Sequence, residues 1–367
     1  MKNKRKTGAM ITVCLFLMMI LAGCSGNSDK TADTDKSKQG AARTITDLVG
    51  NTVTLPAAAE LKNVVIIAPP LLSTYISNIK NTDNIVGTSV VALNEMNPIL
   101  LDIFVPNNKE INTTFLTGYE SNTEELLKLD PDIILVYGET QKKGLQNIPV
   151  PVVDFFIKNQ INEDWSVKID QLMREIFELD NNDSLQQEWE TANQKVDQIL
   201  TDIDNQKQKG LMIMSNTGDK ITVRGAGSYG DDWLLKSGLT NVAAELNGDG
   251  LEVTMEQILS WNPDIIYIFR GLPATQYLSG SIAGQDWSQT QAFKDGRIFN
   301  TPIGIMNWGT PCADSPLMIQ WLVSKNFPEK MSSEDFSKTL KAFYERRYQI
   351  KLTDDMVQSI LNPNNGN

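Results

Sequence analysis

The chain has 367 residues, 41% of them hydrophobic and 21% charged, which is typical of a soluble globular protein with room for two domains. Its 45 acidic residues outnumber 33 basic ones, and the net charge of −12 argues against a nucleic acid partner. Histidine is absent, which excludes a Ser-His-Asp triad, a Cys-His pair and a His-ligated zinc or manganese site.

The first 23 residues have the pattern of an export signal. MKNKRK is positively charged, and the apolar run from Met10 to Ala22 has the length of a signal-peptide core rather than of a membrane span. The run ends in LAGC, which resembles the lipobox of bacterial lipoproteins. This resemblance implies that Cys24 becomes the first mature residue and carries lipid. The lipid would hold the protein on a membrane that the chain itself does not cross. An ordinary signal peptide with an incidental cysteine is the alternative.

The remaining cysteines predict no disulfide. Cys14 would be removed with the leader and Cys24 would carry lipid, so Cys312 is left without a partner. Residues 24–42 are small and polar and predict a flexible tether.

The folded part is expected to begin at Arg43. Alternating apolar and polar residues flank a Gly50-Asn51 turn, which is the pattern of a β-hairpin. Short apolar runs then alternate with helical ones; the predicted strands are 63–68, 84–89, 131–138 and 150–156. This alternation predicts an α/β lobe over residues 43–182.

A long helix and a second α/β series follow. Leu185, Trp189, Val196 and Leu200 lie on one stripe, and the pattern predicts a helix of about 22 residues within 183–207. The second lobe is expected over 208–367, with strands in GLMIMSN, KITVRGAG, PDIIYIF and GRIFNTPIG and a helical C-terminus.

One passage occurs in both lobes. EELLKLDPDIILVYG begins at Glu124 and EQILSWNPDIIYIFRG begins at Glu256, and Pro131 and Pro263 set an offset of 132 residues between them. The repeated helix-to-strand passage predicts two similar lobes.

These features together resemble the substrate-binding lipoproteins of ABC importers for iron-siderophores, haem and cobalamin. The matching stretches are TITDLVGNTVTLP, KNVVIIA, the two repeated passages, VRGAGSYGDDWLLKSGLTNVA, WNPDIIYI, PLMIQWLVSKNFPE and FYERRY. The resemblance implies two Rossmann-like α/β lobes joined by a single long rigid α-helix, a ligand cleft between the lobes, and modest motion on binding.

The same resemblance implies a role for the repeated glutamates. In the family, a glutamate at this position of each lobe docks into an arginine pocket on one of two permease subunits, so Glu124 and Glu256 are the expected docking residues. Their alternative role is structural, because acidic residues in a first helical turn are favoured by the helix dipole.

Ligands in open α/β sheets bind beyond the carboxyl ends of the strands. Aromatic faces suit a planar or chelating ligand, and arginines suit its anionic oxygens. The residues expected to bind the ligand are Tyr119, Tyr137, Arg224, Tyr229, Arg270, Trp287 and Trp308.

The segment GAGSYG at 225–230 formally matches a dinucleotide-binding fingerprint. The strands predicted on either side of it are poor for that fold, so we expect its glycines to let the backbone approach a ligand in the cleft.

The sequence therefore predicts an extracytoplasmic binding protein, without catalytic residues, that delivers a metal chelate to a permease dimer with a cytoplasmic ATPase. A ferric siderophore is the preferred cargo and haem or a corrinoid the alternative. The cargo would carry its own metal, so no resident cofactor or metal site is expected, and the protein would be a monomer. Family members for small oxyanions often have Arg in an S-P-R motif where this chain has CADSP, which disfavours molybdate. A chelatase-like enzyme and an adhesin are rival classes.

Overall fold

The computed structural model describes residues 42–158, 162–180, 182, 184–201, 203 and 208–363. The expected leader, Cys24 and nearly all of the predicted tether lie outside these residues, as do positions 183 and 207, where the inter-lobe helix was expected to begin and end. No helix of the described residues is both long enough and apolar enough to cross a membrane.

The first lobe follows the predicted alternation. Its strands are β1 (Arg43–Thr46), β2 (Thr52–Leu55), β3 (Val64–Ile66), β4 (Ile85–Thr88), β5 (Leu116–Thr117), β6 (Glu120–Ser121), β7 (Ile133–Val136) and β8 (Val152–Asp154). Its helices are α1 (Pro69–Ile79), α2 (Val90–Asn94), α3 (Pro98–Phe104), α4 (Thr123–Leu127), α5 (Glu139–Lys142) and α6 (Asn162–Ile176).

Four parallel strands form the main sheet of this lobe in the order β4-β3-β7-β8. Every residue of β3 and β7 is buried, because helices cover both faces of the sheet and the strands are continuously apolar. The chain winds from β3 toward β4 and from β7 toward β8, so the direction reverses between β3 and β7. A crevice opens at the carboxyl ends of strands at such a reversal.

The long helix between the lobes is α7 (Leu185–Thr201), and it is described for 17 residues, about 26 Å at helical rise. Leu185, Trp189, Ala192 and Val196 form its buried stripe. The predicted continuation toward residue 207 lies largely outside the described residues.

The second lobe contains a mixed sheet. Its strands are β9 (Lys209–Asn216), β10 (Ile221–Val223), β11 (Thr240–Asn241), β12 (Leu251–Val253), β13 (Ile265–Gly271) and β14 (Ile298–Asn300). The main order is β12-β10-β9-β13-β14, in which β9, β13 and β14 are parallel while β10 and β12 are antiparallel to their neighbours; β11 pairs with β9. The helices are α8 (Tyr229–Lys236), α9 (Met255–Trp261), α10 (Ala274–Ser279), α11 (Gln291–Lys294), α12 (Ser315–Asn326), α13 (Ser333–Tyr348) and α14 (Asp354–Leu361).

The two copies of the repeated passage end their helices in the same way. Asp130 and Asn262, the residues before Pro131 and Pro263, both adopt the left-handed conformation with φ of 47°. Asp and Asn tolerate this conformation better than other residues with a side chain, which explains their presence before both prolines.

The aspartates of the two PDII motifs also have equivalent partners. Asp132 Oδ2 accepts the backbone N–H of Asn63 at 2.8 Å, and Asp264 Oδ2 accepts that of Lys209 at 2.8 Å. Each aspartate therefore fixes the start of the strand beside it, β3 in the first lobe and β9 in the second.

One hydrophobic core runs through both lobes. It extends from the first-lobe strands through α7 to the C-terminal helices, and it includes Tyr75, Trp189, Trp233 and Leu317. A shared core resists large movement of one lobe against the other, because well-packed interfaces deform little.

Candidate functional site

A cavity of about 340 Å³ lies between the lobes, at the carboxyl ends of β3 and β7. Its lining residues come from both lobes: Ala68, Pro69, Pro70, Tyr119, Tyr137, Gln141, Trp165, Tyr229, Thr310 and Pro311. Pro69 begins α1 directly after β3, and Tyr137 directly follows β7. The cavity thus occupies the crevice that the reversal of strand order predicts.

Tyr137 is held by a neighbouring aromatic residue. The Trp165 indole N–H donates to the Tyr137 hydroxyl oxygen at 2.6 Å, and the rings meet edge to face with centroids 5.5 Å apart. Burial raises the pKa of Tyr137, and hydrogen bonds from Trp165 and the Ile157 backbone oppose that rise. Because the hydroxyl oxygen already accepts hydrogen bonds, its own hydrogen is left to donate toward a ligand.

Gln141 adds an amide to the same wall. Its Oε1 accepts the backbone N–H of Tyr137 at 2.8 Å, which assigns its NH₂ group to the opposite side of the side chain. The turn between them is fixed by Asp154, whose Oδ1 accepts the Gly138 N–H at 2.8 Å. The Gln141 side chain is thus positioned by the backbone around it.

Tyr119 lies at the tip of the β5–β6 hairpin, next to Gly118, which has a φ of 61°. The residue is 38% exposed although it lines the cavity, so its ring forms part of the rim. The Asn122 backbone N–H donates to the Phe115 carbonyl at 2.7 Å, which closes the base of the hairpin.

The second lobe contributes Tyr229, the first residue of α8, with Arg224 behind it. The Arg224 guanidinium carbon lies 4.0 Å from the centre of the Tyr229 ring and 4.9 Å from that of Phe269. Arg224 is fully buried and forms an ion pair with Asp249 at 2.8 Å. Arg224 therefore supports the cavity wall through Tyr229 and is not itself among the lining residues.

Two of the three glycines of GAGSYG, Gly225 and Gly230, serve internal packing. A Cβ on Gly225 would lie 2.3 Å from the Leu246 carbonyl oxygen, and one on Gly230 would lie 2.2 Å from Arg224 Cδ. The strand before this segment, β10, pairs antiparallel with both neighbours, whereas a dinucleotide site requires a parallel βαβ unit.

Arg270 follows the buried part of β13 and contacts the other lobe. Its Nη2 donates to Glu95 Oε1 across the cleft, and its guanidinium carbon lies 4.5 Å from the Phe269 ring centre. Glu95, at the end of α2, had no distinguishing mark in the sequence. Arg270 therefore meets a carboxylate of this chain.

Trp287 and Trp308 are not at the cavity. Both are fully buried, Trp287 against Tyr277 with ring centres 4.7 Å apart, and their indole N–H groups donate to Gln285 and to Asp314. Their burial and satisfied N–H groups give them core roles. The tryptophan that lines the cavity is Trp165, which was not among the residues expected to bind the ligand.

Asp314 is the centre of a buried polar cluster. Its carboxylate accepts hydrogen bonds from Trp308, Tyr344 and Tyr348 at 2.6 to 2.9 Å. Burial raises the pKa of this carboxyl, and those three donors oppose the rise. The carboxylate of the CADSP segment is therefore committed to hydrogen bonds within the core.

Glu124 and Glu256 occupy the same position in their helices. Each is the second residue, exposed, of a helix that leads into a central strand, α4 into β7 and α9 into β13. Asn122 and Thr254 cap these helices by accepting backbone N–H groups. Hydrogen bonds from its own backbone and from Thr254 lower the pKa of Glu256.

No cluster of three or more Cys, Asp or Glu side chains among the described residues has the arrangement of a metal site.

Comparison with known proteins gives a family and a set of related structures. The model of the periplasmic binding protein family matches residues 75–303, more than half of the chain. The molybdate-binding protein MolA of Haemophilus influenzae is 25% identical over 256 residues, which cover 64% of this chain and 72% of MolA.

Three solved structures share the fold. A periplasmic solute binding protein from Veillonella parvula superposes with a TM-score of 0.78 at 24% identity, covering 88% of this chain and 97% of that one. MolA bound to molybdate superposes with a TM-score of 0.68 at 22% identity, covering 85% of this chain and 99% of that one. Helicobacter pylori CeuE, as a complex with nickel and histidine, superposes with a TM-score of 0.66 at 18% identity, covering 88% of this chain and 99% of that one.

These neighbours confirm the α/β fold class. Proteins of the family act outside the cytoplasm, bind small ligands and work with an ABC permease and its ATPase; they are not enzymes. The chain belongs to the periplasmic binding protein family and is the solute-binding component of an ABC transport system.

Proposed function

We propose that the cargo is a metal chelate with an organic shell, a ferric siderophore before other chelates, held in the cavity between the lobes. The observation that carries the proposal is the cavity lining: four of its ten residues are aromatic and none of the ten is charged. Aromatic faces bind the flat organic arms of a chelate, and the Tyr137, Gln141 and Thr310 side chains offer hydrogen bonds to its oxygens.

The size of the cavity favours a compact chelate. A volume of about 340 Å³ lies at the lower end of the range for ligand sites, about 300–1,000 Å³. Haem, a corrinoid and the larger siderophores all exceed this volume and would extend from the cavity into the cleft, so the volume favours only the smaller chelates.

Molybdate is the second candidate, because MolA binds it and is 25% identical to this chain. A small dianion needs charged groups or free backbone N–H groups in place of its hydration shell. The first turn of α1 offers none: Pro69 and Pro70 lack an N–H, and those of Leu71 and Leu72 both donate to the Ala68 carbonyl. The α1 side of the lining therefore favours the chelate over the bare oxyanion.

Titration calorimetry of the purified protein against ferric siderophores, haem, a corrinoid and molybdate tests this proposal. We expect saturable binding of at least one ferric siderophore and no heat of binding from molybdate. Saturable binding of molybdate alone would contradict the proposal.

We propose further that Glu124 and Glu256 dock the protein onto its permease. Two exposed carboxylates at equivalent positions of pseudo-symmetric lobes suit a permease built of two like subunits, each presenting a basic pocket. Docking in this way needs only one copy of the chain, and sedimentation or size-exclusion measurements are expected to show a monomer.

We also propose that Cys24 carries the lipid anchor. The support is the LAGC sequence after an apolar run, since Cys24 lies outside the described residues. Cells that express the C24S variant should lose both labelled-palmitate incorporation and membrane association. Unchanged labelling would place the lipid elsewhere.

A further inference from the structure

The ion pair between Glu95 and Arg270 is a contact between the lobes. Glu95 directly follows α2 in the first lobe, and Arg270 is near the end of β13 in the second. The Glu95 side chain is 13% exposed and that of Arg270 is 48% exposed. The Glu95 side chain is therefore largely shielded from solvent on the first lobe, whereas the Arg270 side chain on the second lobe is half exposed.

Glu95 is incompletely satisfied by this contact. Its Oε1 accepts from Arg270, but its Oε2 is buried without a hydrogen-bond partner in the described part of the chain. A carboxylate oxygen enclosed without a donor costs free energy, which offsets much of the attraction between the two charges. Because loss of Arg270 would leave this carboxylate with no partner, only a group that binds Arg270 more strongly than Glu95 does can displace it.

The Arg270 guanidinium has N–H donors that the pair with Glu95 does not use. A guanidinium carries five N–H donors, and within the described residues the Arg270 side chain has one hydrogen bond, through Nη2. The rest of the group is half exposed, so an anionic oxygen in the cleft can reach it.

The pair is adjacent to the proposed binding cavity. Arg270 stacks on Phe269, and Arg224 lies near the same ring and under Tyr229 of the lining. Phe269 also packs against Gly309, where a Cβ would lie only 2.4 Å from its ring, directly before the lining residue Thr310. The Glu95–Arg270 pair is therefore linked to the cavity wall through the Phe269 ring.

We propose that Glu95 determines charge specificity, by occupying Arg270 until an anionic oxygen group of the cargo takes its place. The inference rests on the proposed function and adds that the cargo is an anionic chelate, with its organic shell in the uncharged cavity and its negative group on Arg270. A neutral chelate gains no ion pair by displacing Glu95. An anionic chelate must compete with Glu95, and it gains an ion pair with Arg270 when it does so.

Two small ferric complexes test this proposal, one anionic and one neutral. The anionic probe is the complex with 2,3-dihydroxybenzoate, and the neutral probe is the tris complex with acetohydroxamate. Calorimetric affinities of the full chain are measured for E95Q, R270Q, the double variant and D102N. Asp102 is an exposed acid on α3 that forms no ion pair within the described residues, so D102N is a control for the change in net charge.

We expect E95Q to tighten binding of the anionic probe about 10-fold and to change the neutral probe less than about 2-fold. In the R270Q background the same change should have no effect, and D102N should behave as wild type. An equal gain for both probes, an equal gain in D102N, or a gain that persists without Arg270 would overturn the inference alone. Failure of the wild type to bind either probe would overturn the proposed function and this inference together.

Discussion

The indole N–H of Trp165 donates to the hydroxyl oxygen of Tyr137 over 2.6 Å, inside the cavity between the lobes. This hydrogen bond directs the remaining hydrogen of Tyr137 toward the ligand. Y137F should therefore weaken binding of a ferric chelate about 3- to 10-fold, the effect of one lost hydrogen bond worth about 1 kcal/mol.

Calorimetry measures this effect, and Y75F is its matched control. The Tyr75 hydroxyl is buried without a hydrogen-bond partner among the described residues and does not line the cavity. Y75F should leave affinity unchanged; a loss in Y75F equal to that in Y137F would assign the effect to stability and not to the ligand.

The positions of the tryptophans predict different effects on binding. W165F removes the donor that orients Tyr137 and should weaken chelate binding about 3-fold or more. W287F removes a hydrogen bond to Gln285 outside the lining, so it should lower the midpoint of urea unfolding with affinity unchanged. Loss of affinity in W287F but not in W165F would restore Trp287 as the ligand-binding residue that the sequence predicted.

The docking proposal predicts separable effects on transport and on binding. The double reversal E124R/E256R should abolish uptake in vesicles that contain the cognate permease and ATPase, because both contacts would become repulsive. Its affinity for the cargo should remain that of wild type, since both glutamates are exposed and outside the lining. The charge-matched control E334R/E345R, on the exposed face of α13, should transport normally. Equal losses in both double variants would count against docking through Glu124 and Glu256.

We expect two neighbouring arginines on α13 to contribute very differently to the stability of the protein. Arg347 is fully buried and forms an ion pair with the buried Asp170 at 3.1 Å. Asp170 also pairs with Arg174 at 3.0 Å. R347A should lower the free energy of unfolding by about 3–5 kcal/mol, because a buried carboxylate loses a charge partner. R346A breaks a half-exposed pair with Glu188 and should cost about 1 kcal/mol or less. Urea denaturation measures both, and equal losses would mean that Asp170 finds a replacement donor when Arg347 is removed.

The sequence predicted the lobes better than it predicted the site. The repeated passage has a local cause that is visible in the sequence: a left-handed Asp or Asn before proline, then an aspartate that fixes the adjacent strand. The stripe of α7 was equally readable, since periodicity reports which side of a helix is buried.

Periodicity does not report what a buried side faces. Tyr119, Tyr137 and Tyr229 were predicted because they follow strands or loops at the expected edge of the sheets, and they do line the cavity. Trp165 was missed because a buried helical residue has the same pattern whether it faces a core or a cavity. Glu95 was missed because its partner lies 175 positions away in the other lobe.

Crystals of the protein with the ferric complex of a siderophore, measured at the iron absorption edge, test the central claim most directly. We predict an anomalous iron peak inside the cavity, among Tyr119, Tyr137, Trp165 and Tyr229, with organic density against their rings. An iron peak elsewhere, or a cavity that fills only when molybdate is supplied, would contradict the account.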